Sequence, residues 1–555
     1  MAPMVTAARP ITTNPCICLL HADELSLPPT PVPESSLRRN AAVVTTPSEK
    51  LQIHSALSQV HRDLAELDVA LAHLESVKTR LLLKRKAFQT FSDTHYGALS
   101  SIRLIPPEIL TEIFSYLKPH QHYSPRGDDL LSTHICQQWR QIALSIPHLW
   151  SNIRVNVSRG HIKPTLEWVN AWLSRAKGSP LCIDIECCHL YFEDDWKLLL
   201  DVVVPHSHRW QHAAITFISG ADISRLYKAK DHLPLLETLD ISVLESSQSE
   251  DGYEADTFEI APMLKSVSIN IERSFESWSI GRLPFTQLEA FNAGFCSVPC
   301  AVGLLLIMPN IVSFAAQFRE HAYPATTYIS PRSLSKLEDL DIEYSIQEEL
   351  FLNHFNFPCL RHLKYHQSNL QHAGWNPSLI SLLQRSSGHL KSFTLLISGE
   401  RCSQAGLQKL FRFLPKLPHL SIASRRDTNT MLGYSEIIEC LTAPSPPNTD
   451  VYRALPELRR LELDYASGFE AQAFVDMVES RWRSGSAISE VPTIARLKSI
   501  KLRCVPSAAV FDSKALDRLK EFAAEGLDIN VEIVEGLPLC FDEGICKGKE
   551  KFEGY

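Results

Sequence analysis

The side chains able to do chemistry in this 555-residue chain are scattered rather than grouped. Its 22 histidines come closest together at His206, His208 and His212. Its 14 cysteines cluster only at Cys16-x-Cys18, Cys187-Cys188-His189 and Cys296-x3-Cys300. A structural zinc takes four ligands, usually two pairs of Cys or His at short spacing. No cluster here has a second pair at such a distance, so the expectation is no metal and no cofactor. Phosphate-cradling glycine loops, the HExxH zinc-hydrolase helix and the GxSxG nucleophile turn are also missing. The expectation is a chain without a catalytic centre. Arg425, Arg426, Arg481 and Arg483 could read a phosphorylated motif through paired guanidinium bonds, and solvated basic loops explain them as well.

The most organised charges lie at alternate positions. Asp339, Asp341 and Glu343 form one row, and His362, Lys364 and His366 follow 23 residues later. A period of two places each row on one face of a strand. The rows either pair across neighbouring strands, at about 0.2–1 kcal/mol per pair, or form a charged binding patch. In a patch the two histidines would make binding change between about pH 5 and 8.

These residues must be held by folded elements, and composition allows for them. Hydrophobic residues make up 45% and charged residues 21%, as in ordinary globular proteins. The net charge of −8 argues against general nucleic-acid binding. Single cysteines on apolar backgrounds point to reduced thiols in the cytoplasm or nucleus, and Met1 to Leu20, broken by Pro10 and Pro15, reads as no secretory signal. The one uncharged stretch, Ala290 to Phe318, is cut by Pro299 and Pro309, too short in each piece for a membrane helix. It reads as a buried helix, a turn and a strand.

Residues 1–48 carry eight prolines and read as a disordered tail. From 49 to 92 the pattern becomes helical. Ile53, Leu57, Val60, Leu64, Leu67, Leu71 and Leu74 alternate steps of four and three, and Leu81 and Phe88 resume the series after Lys78. That is coiled-coil spacing, suited to self-association or to a helix of the same chain, the alternative being one long helix packed on the next domain.

Next comes Leu104-x-Pro106-x-Glu108-Ile109-Leu110-x-x-Ile113-Phe114-x-x-Leu117. After a loop rich in His and Pro follow Ile135-Cys136-x-x-Trp139-Arg140-x-Ile142-Ala143 and Pro147-x-Leu149-Trp150, with a second helix expected over Leu130 to Ser145. Residues 99–153 resemble the F-box, a small helical module, and the layout with a preceding heptad helix is similar to fungal F-box proteins. The resemblance implies docking onto the Skp1 adaptor of an SCF-type ubiquitin ligase, and through it a cullin. It implies anchors at Leu104, Pro106, Ile109, Leu110, Ile113, Phe114 and Leu117, with a second set at Ile135 and Trp139. Some of these must instead hold the module's own core.

Beyond Trp150 an L-x-x-L-x-L pattern recurs eleven times, from Trp210/Ala213/Ile215 to Leu497/Ile500/Leu502. The first eight steps are 23–30 residues; the last two, of 41 and 39, need insertions near Ala443–Asn448 and Ser484–Ser486. Leucine-rich repeats have this signature. The expected fold class is α/β: a long helix, a helical F-box, then over 154–538 a solenoid with a parallel sheet inside and helices outside, closed by a strand at Leu527 to Ile533. Residues 539–555 read as a polar tail. The combined expectation is a non-catalytic ligase adaptor whose repeats bind a client protein through the 339–366 charges. The alternative is a scaffold that uses the coiled coil and repeats without ubiquitin transfer.

Overall fold

The structure is a computed structural model. It describes residues 47–99, 101–117, 132–157, 162–187, 195–245, 256–271, 282–318, 332–344, 349–367, 377–386, 388–397, 404–424, 434–442, 454–466, 469–483, 494–504, 511 and 513–533. The chain divides into two compact units, Met1–Pro106 and Pro107–Tyr555.

In the first unit a single helix, α1 (Pro47–Leu99), spans 53 residues, about 80 Å. It exceeds the expected 49–92 at both ends. Pro47 and Ser48 belong to it rather than to the tail, since a first turn tolerates proline. The rest of the expected tail lies outside the described residues. Side-chain bonds along the helix, Gln59 to Asp63 at 2.9 Å, Lys78 to Glu75 at 3.0 Å and Gln89 to Asp93 at 2.9 Å, each add a few tenths of a kcal/mol. Leu57, Leu64, Leu71, Leu81 and Phe88 of the heptad stripe are all exposed.

The second unit opens with α2 (Pro107–Ser115), α3 (Ser132–Ile135), α4 (Gln137–Ser145) and a 3-10 turn at Pro147–Trp150. The expected helix from Leu130 to Ser145 is thus broken. Cys136 adopts an extended backbone (φ −156°, ψ 169°), and its Sγ accepts from the Trp139 N–H at 3.5 Å. Cys136 therefore caps α4 instead of packing inside one continuous helix.

The remainder is built on fourteen parallel strands. They are β1 (Asn152–Val157), β2 (Leu181–Cys187), β3 (Trp210–Ser219), β4 (Thr238–Glu245), β5 (Ser266–Ile271), β6 (Ala290–Cys296) and β7 (Ser313–Phe318). Past a small side pair, β8 (Arg332–Ser333) with β10 (Phe355–Asn356), the sheet continues through β9 (Asp339–Tyr344), β11 (His362–Gln367) and β12 (Ser392–Ile397). It ends with β13 (His419–Ser424), β14 (Arg460–Ala466), β15 (Ser499–Cys504) and β16 (Asp528–Ile533). Each sheet strand pairs with the next one along the chain. Parallel neighbours in chain order need a crossover every time, and stacking such units makes a repeat solenoid. The crossovers include α5 (Ile162–Ala176), α6 (Asp195–Val203), α7 (Val298–Ile307), α8 (Glu349–His354), α9 (Pro377–Ser386), α10 (Gln404–Phe411), α11 (Ser435–Leu441), α12 (Ala471–Trp482) and α13 (Ser513–Ala524).

Alternate strand residues are buried, and the register aligns them into ladders. One runs Ile153, Ile183, Ala213, Leu239, Val267, Phe291, Phe314, Leu340, Leu363, Phe393, Leu420, Leu461 and Ile500. No strand could bury these residues alone, so the core is shared along the whole stack. The expected helix, turn and strand over Ala290 to Phe318 are present as α7, residues 308–312 and β7, and a further strand, β6, precedes them. Pro299 sits in the first turn of α7, where Ser297 caps by accepting from the Cys300 N–H. In β6 the register shifts between Asn292 and Phe295. Gly294 takes φ +53° at this bulge, and a Cβ there would lie 2.6 Å from the Ile269 carbonyl oxygen. The insertions near 443–448 and 484–486 and the tail at 539–555 fall outside the described residues.

Candidate functional site

The F-box-like segment divides its apolar residues into two sets. Leu110 and Phe114, one turn apart on α2, are 1% and 2% exposed. Phe114 meets the half-buried Trp139 of α4 edge to face, with ring centroids 5.1 Å apart. Such a pair adds about 0.5–1.5 kcal/mol beyond its burial. Leu110 and Phe114 are therefore interior residues, the members of the anchor set that hold the module's own core. Ile109 and Ile113 on the outer side of α2, and Leu117 just past its end, continue the four-residue spacing and are 52%, 45% and 45% exposed. Ile135, ending α3, is exposed too, as is Tyr116, which is not among the expected anchors. The signal for it in the sequence is an aromatic residue next to the last anchor of an amphipathic helix. Leu104 and Pro106 belong to the other compact unit and are exposed there.

The module is tied internally and to the solenoid. The His148 Nε2 lies 3.1 Å from the Ser115 carbonyl oxygen, linking the 3-10 turn to the end of α2. The Trp150 indole N–H donates to the Ala143 carbonyl at 3.0 Å. Its ring packs edge-on against Trp172 of α5 at 5.2 Å, under the Arg175 guanidinium at 4.5 Å. One buried tryptophan thus joins α4 to the first solenoid helix.

With this geometry in place, residues 102–156 match the family described as F-box-like. The match defines an F-box-like module, a class generally associated with adaptors of SCF-type ligases, over about a tenth of the chain. No curated protein matches the chain. Among the described residues no helix is long and apolar enough to cross a membrane.

The second group of expected site residues lies on the polar face of the sheet. Register sets Asp339 opposite His362, Asp341 opposite Lys364 and Glu343 opposite His366. Lys364 Nζ donates to Asp341 at 2.8 Å, and the His366 Nδ1 lies 2.9 Å from a Glu343 oxygen. The two rows are brought together, as cross-strand pairs. His366 is buried, with a side chain only 6% exposed, so its ring is not offered to a partner. Asp339, Asp341, Glu343, His362 and Lys364 remain wholly or partly accessible.

Of the four arginines that could read a phosphorylated motif, Arg481 is committed to the fold. Arg481 is 1% exposed, and its guanidinium donates to the carbonyls of Leu441, Leu455 (3.1 Å) and Ala454 (2.7 Å). Burial lowers its pKa to about 10, and its donors are engaged in the fold rather than facing a phosphate. Arg483 pairs with Glu479 at 3.0 Å, while Arg425 and Arg426 lie outside the described residues. The three histidines expected nearest to a metal cluster have other surroundings. The His206 and His208 rings stand 6.5 Å apart, and His212 Nδ1 lies 2.6 Å from the Thr238 hydroxyl. Burial, then the charges of Arg209 and His208, hold His206 below its ordinary pKa of 6.5.

Proposed function

We propose that this chain is the client-recognition adaptor of an SCF-type ubiquitin ligase. The F-box docks a Skp1-like protein, which bridges to a cullin, and the solenoid holds the client. The chemistry lies in other subunits, and the adaptor acts by raising the local concentration of client lysines. The observation that carries this reading is the row Ile109, Ile113 and Leu117: two large apolar side chains one turn apart on α2 and a third in the turn that follows it, about half exposed inside an F-box-like module. A helix face of this kind suits insertion into a partner's groove. Ile135 and Tyr116 extend the contact. Pull-down of Skp1 by the Ile109→Asp, Ile113→Asp double variant tests it. Loss of Skp1 with an unchanged unfolding midpoint is expected, and retained Skp1 on the folded variant overturns the docking.

For the client, the accessible part of the charged strip on β9 and β11 is the proposed contact. Charge reversal at Asp339 and Asp341 should release a client identified by proximity labelling and leave Skp1 bound. A variant that keeps its client, or that no longer folds, removes the strip from this role.

A further inference from the structure

The exposed stripe of α1 carries an orientation as well as a partner. In heptad positions, Leu57, Leu64, Leu71, Lys78 and Arg85 are a residues, and Val60, Leu67, Leu74, Leu81 and Phe88 are d residues. The charges divide along the helix. Residues 47–75 contain five acidic and two basic residues, and residues 76–99 contain one acidic and five basic residues. The leucines at 57, 64, 71 and 81 are exposed, so the described residues of this unit leave the stripe uncovered.

We infer that α1 pairs with the α1 of a second copy of this chain, in antiparallel orientation and over its full length. A parallel pair would stack Lys78 on Lys78 and Arg85 on Arg85 in the seam, and would set Asp63 beside the other copy's Asp68. Like charges in such contacts destabilise. Reversing one helix removes all three conflicts. When Leu71 faces the second copy's Leu74, Leu64 meets Leu81 and Leu57 meets Phe88. Lys78 then lies against Leu67, and Arg85 against Val60, each with a long apolar stem to cover the leucine or valine and a charge free to reach outward. In this register Lys84 flanks the second copy's Asp63, twice per dimer by symmetry, and the acidic half of each helix lies along the basic half of the other. One kind of contact opposes it, Glu75 beside the second copy's Asp68, also twice per dimer, and Lys78 of the same chain already lies 3.0 Å from Glu75.

Lys84 and Asp63 are 21 residues apart in one helix, about 31 Å, so they can meet only between copies. Within its own chain Asp63 accepts from Gln59, and Lys84 sits 5.8 Å over the Phe88 ring. The test is sedimentation equilibrium on the full chain: wild type, Lys84→Glu, Asp63→Lys and the double variant. Each single change turns two attractions per dimer into two repulsions, so the dimer should dissociate about tenfold more readily. The double variant should regain the wild-type constant. A monomeric wild type, a double variant no tighter than the singles, or a dimer strengthened by Asp63→Lys overturns the inference. The last result marks a parallel pair, and the first marks a different helix as the occupant. None of these outcomes depends on Skp1 binding.

Discussion

Replacing Ile109, Ile113 and Leu117 together by alanine tests the proposed docking face directly. Burying a whole Leu or Ile side chain stabilises by about 1.5–3 kcal/mol. These three are 52%, 45% and 45% exposed in the free chain, so about half of that gain is still available to a partner. Each then contributes about 0.7–1.5 kcal/mol on docking, and the three together about 2–4.5 kcal/mol. At 1.4 kcal/mol per decade, the triple variant should bind a Skp1-like adaptor about 30- to 1,500-fold more weakly. Alanine is the best helix former, so α2 should persist and the unfolding midpoint should hold. Phe114→Ala supplies the contrast, because its ring is buried against Trp139 and its loss should cost about 3–5 kcal/mol of stability. Isothermal titration beside chemical denaturation reads both quantities. A triple variant that binds within threefold of wild type refutes the assignment of this face.

Arg481→Ala should destabilise the solenoid by about 2–6 kcal/mol in denaturant unfolding. Three bonds from a charged donor are lost, and a desolvation cost of about 3 kcal/mol is relieved. A change below 1 kcal/mol would show that those carbonyls find other donors. Gly294→Ala should cost at least about 1 kcal/mol, since φ +53° and the Ile269 carbonyl both oppose a Cβ; an unchanged midpoint would refute the bulge geometry. His206 has a folded pKa below its ordinary 6.5, so the unfolded chain binds more protons in that window. Its contribution is complete above pH 6.5 and declines as pH falls toward the lowered value. His206→Gln should flatten that part of a midpoint-against-pH curve, and an unaltered slope would place the titration elsewhere.

Where the sequence was read correctly, a local pattern stood for a local structure. The 23-residue step from Leu337 to Leu360 already implied that Asp339 lies opposite His362, because every repeat enters its strand at the same point. Two strands of the fourteen-stranded sheet, β1 and β2, lie outside the recurring pattern for specific reasons. Trp150, Ile153 and Val155 do follow the repeat pattern, but Trp150 was absorbed into the F-box. In β2, Pro180 stands where the first leucine of the pattern would be, and the register slips beside Leu181. On α2 and the turn that follows it, apolar residues at 109, 110, 113, 114 and 117 form one wide stripe. Only the position of Trp139 decides which half turns inward. Arg481 was least legible, because the carbonyls that bind it come from positions 441, 454 and 455.

The Trp150 joint gives the solenoid the character of a gauge. The Trp150 indole is bonded to α4 and packed on α5, which ties the last helix of the F-box-like module to the first helix of the solenoid. The strip on β9 lies seven strand intervals from β1, about 34 Å at ordinary strand spacing. On the proposed reading, a bound client sits at a set offset from the docking helix, and the number of intervening repeats determines which of its lysines come within range. Removing one repeat would then shorten that reach by one strand spacing and leave both contact faces intact.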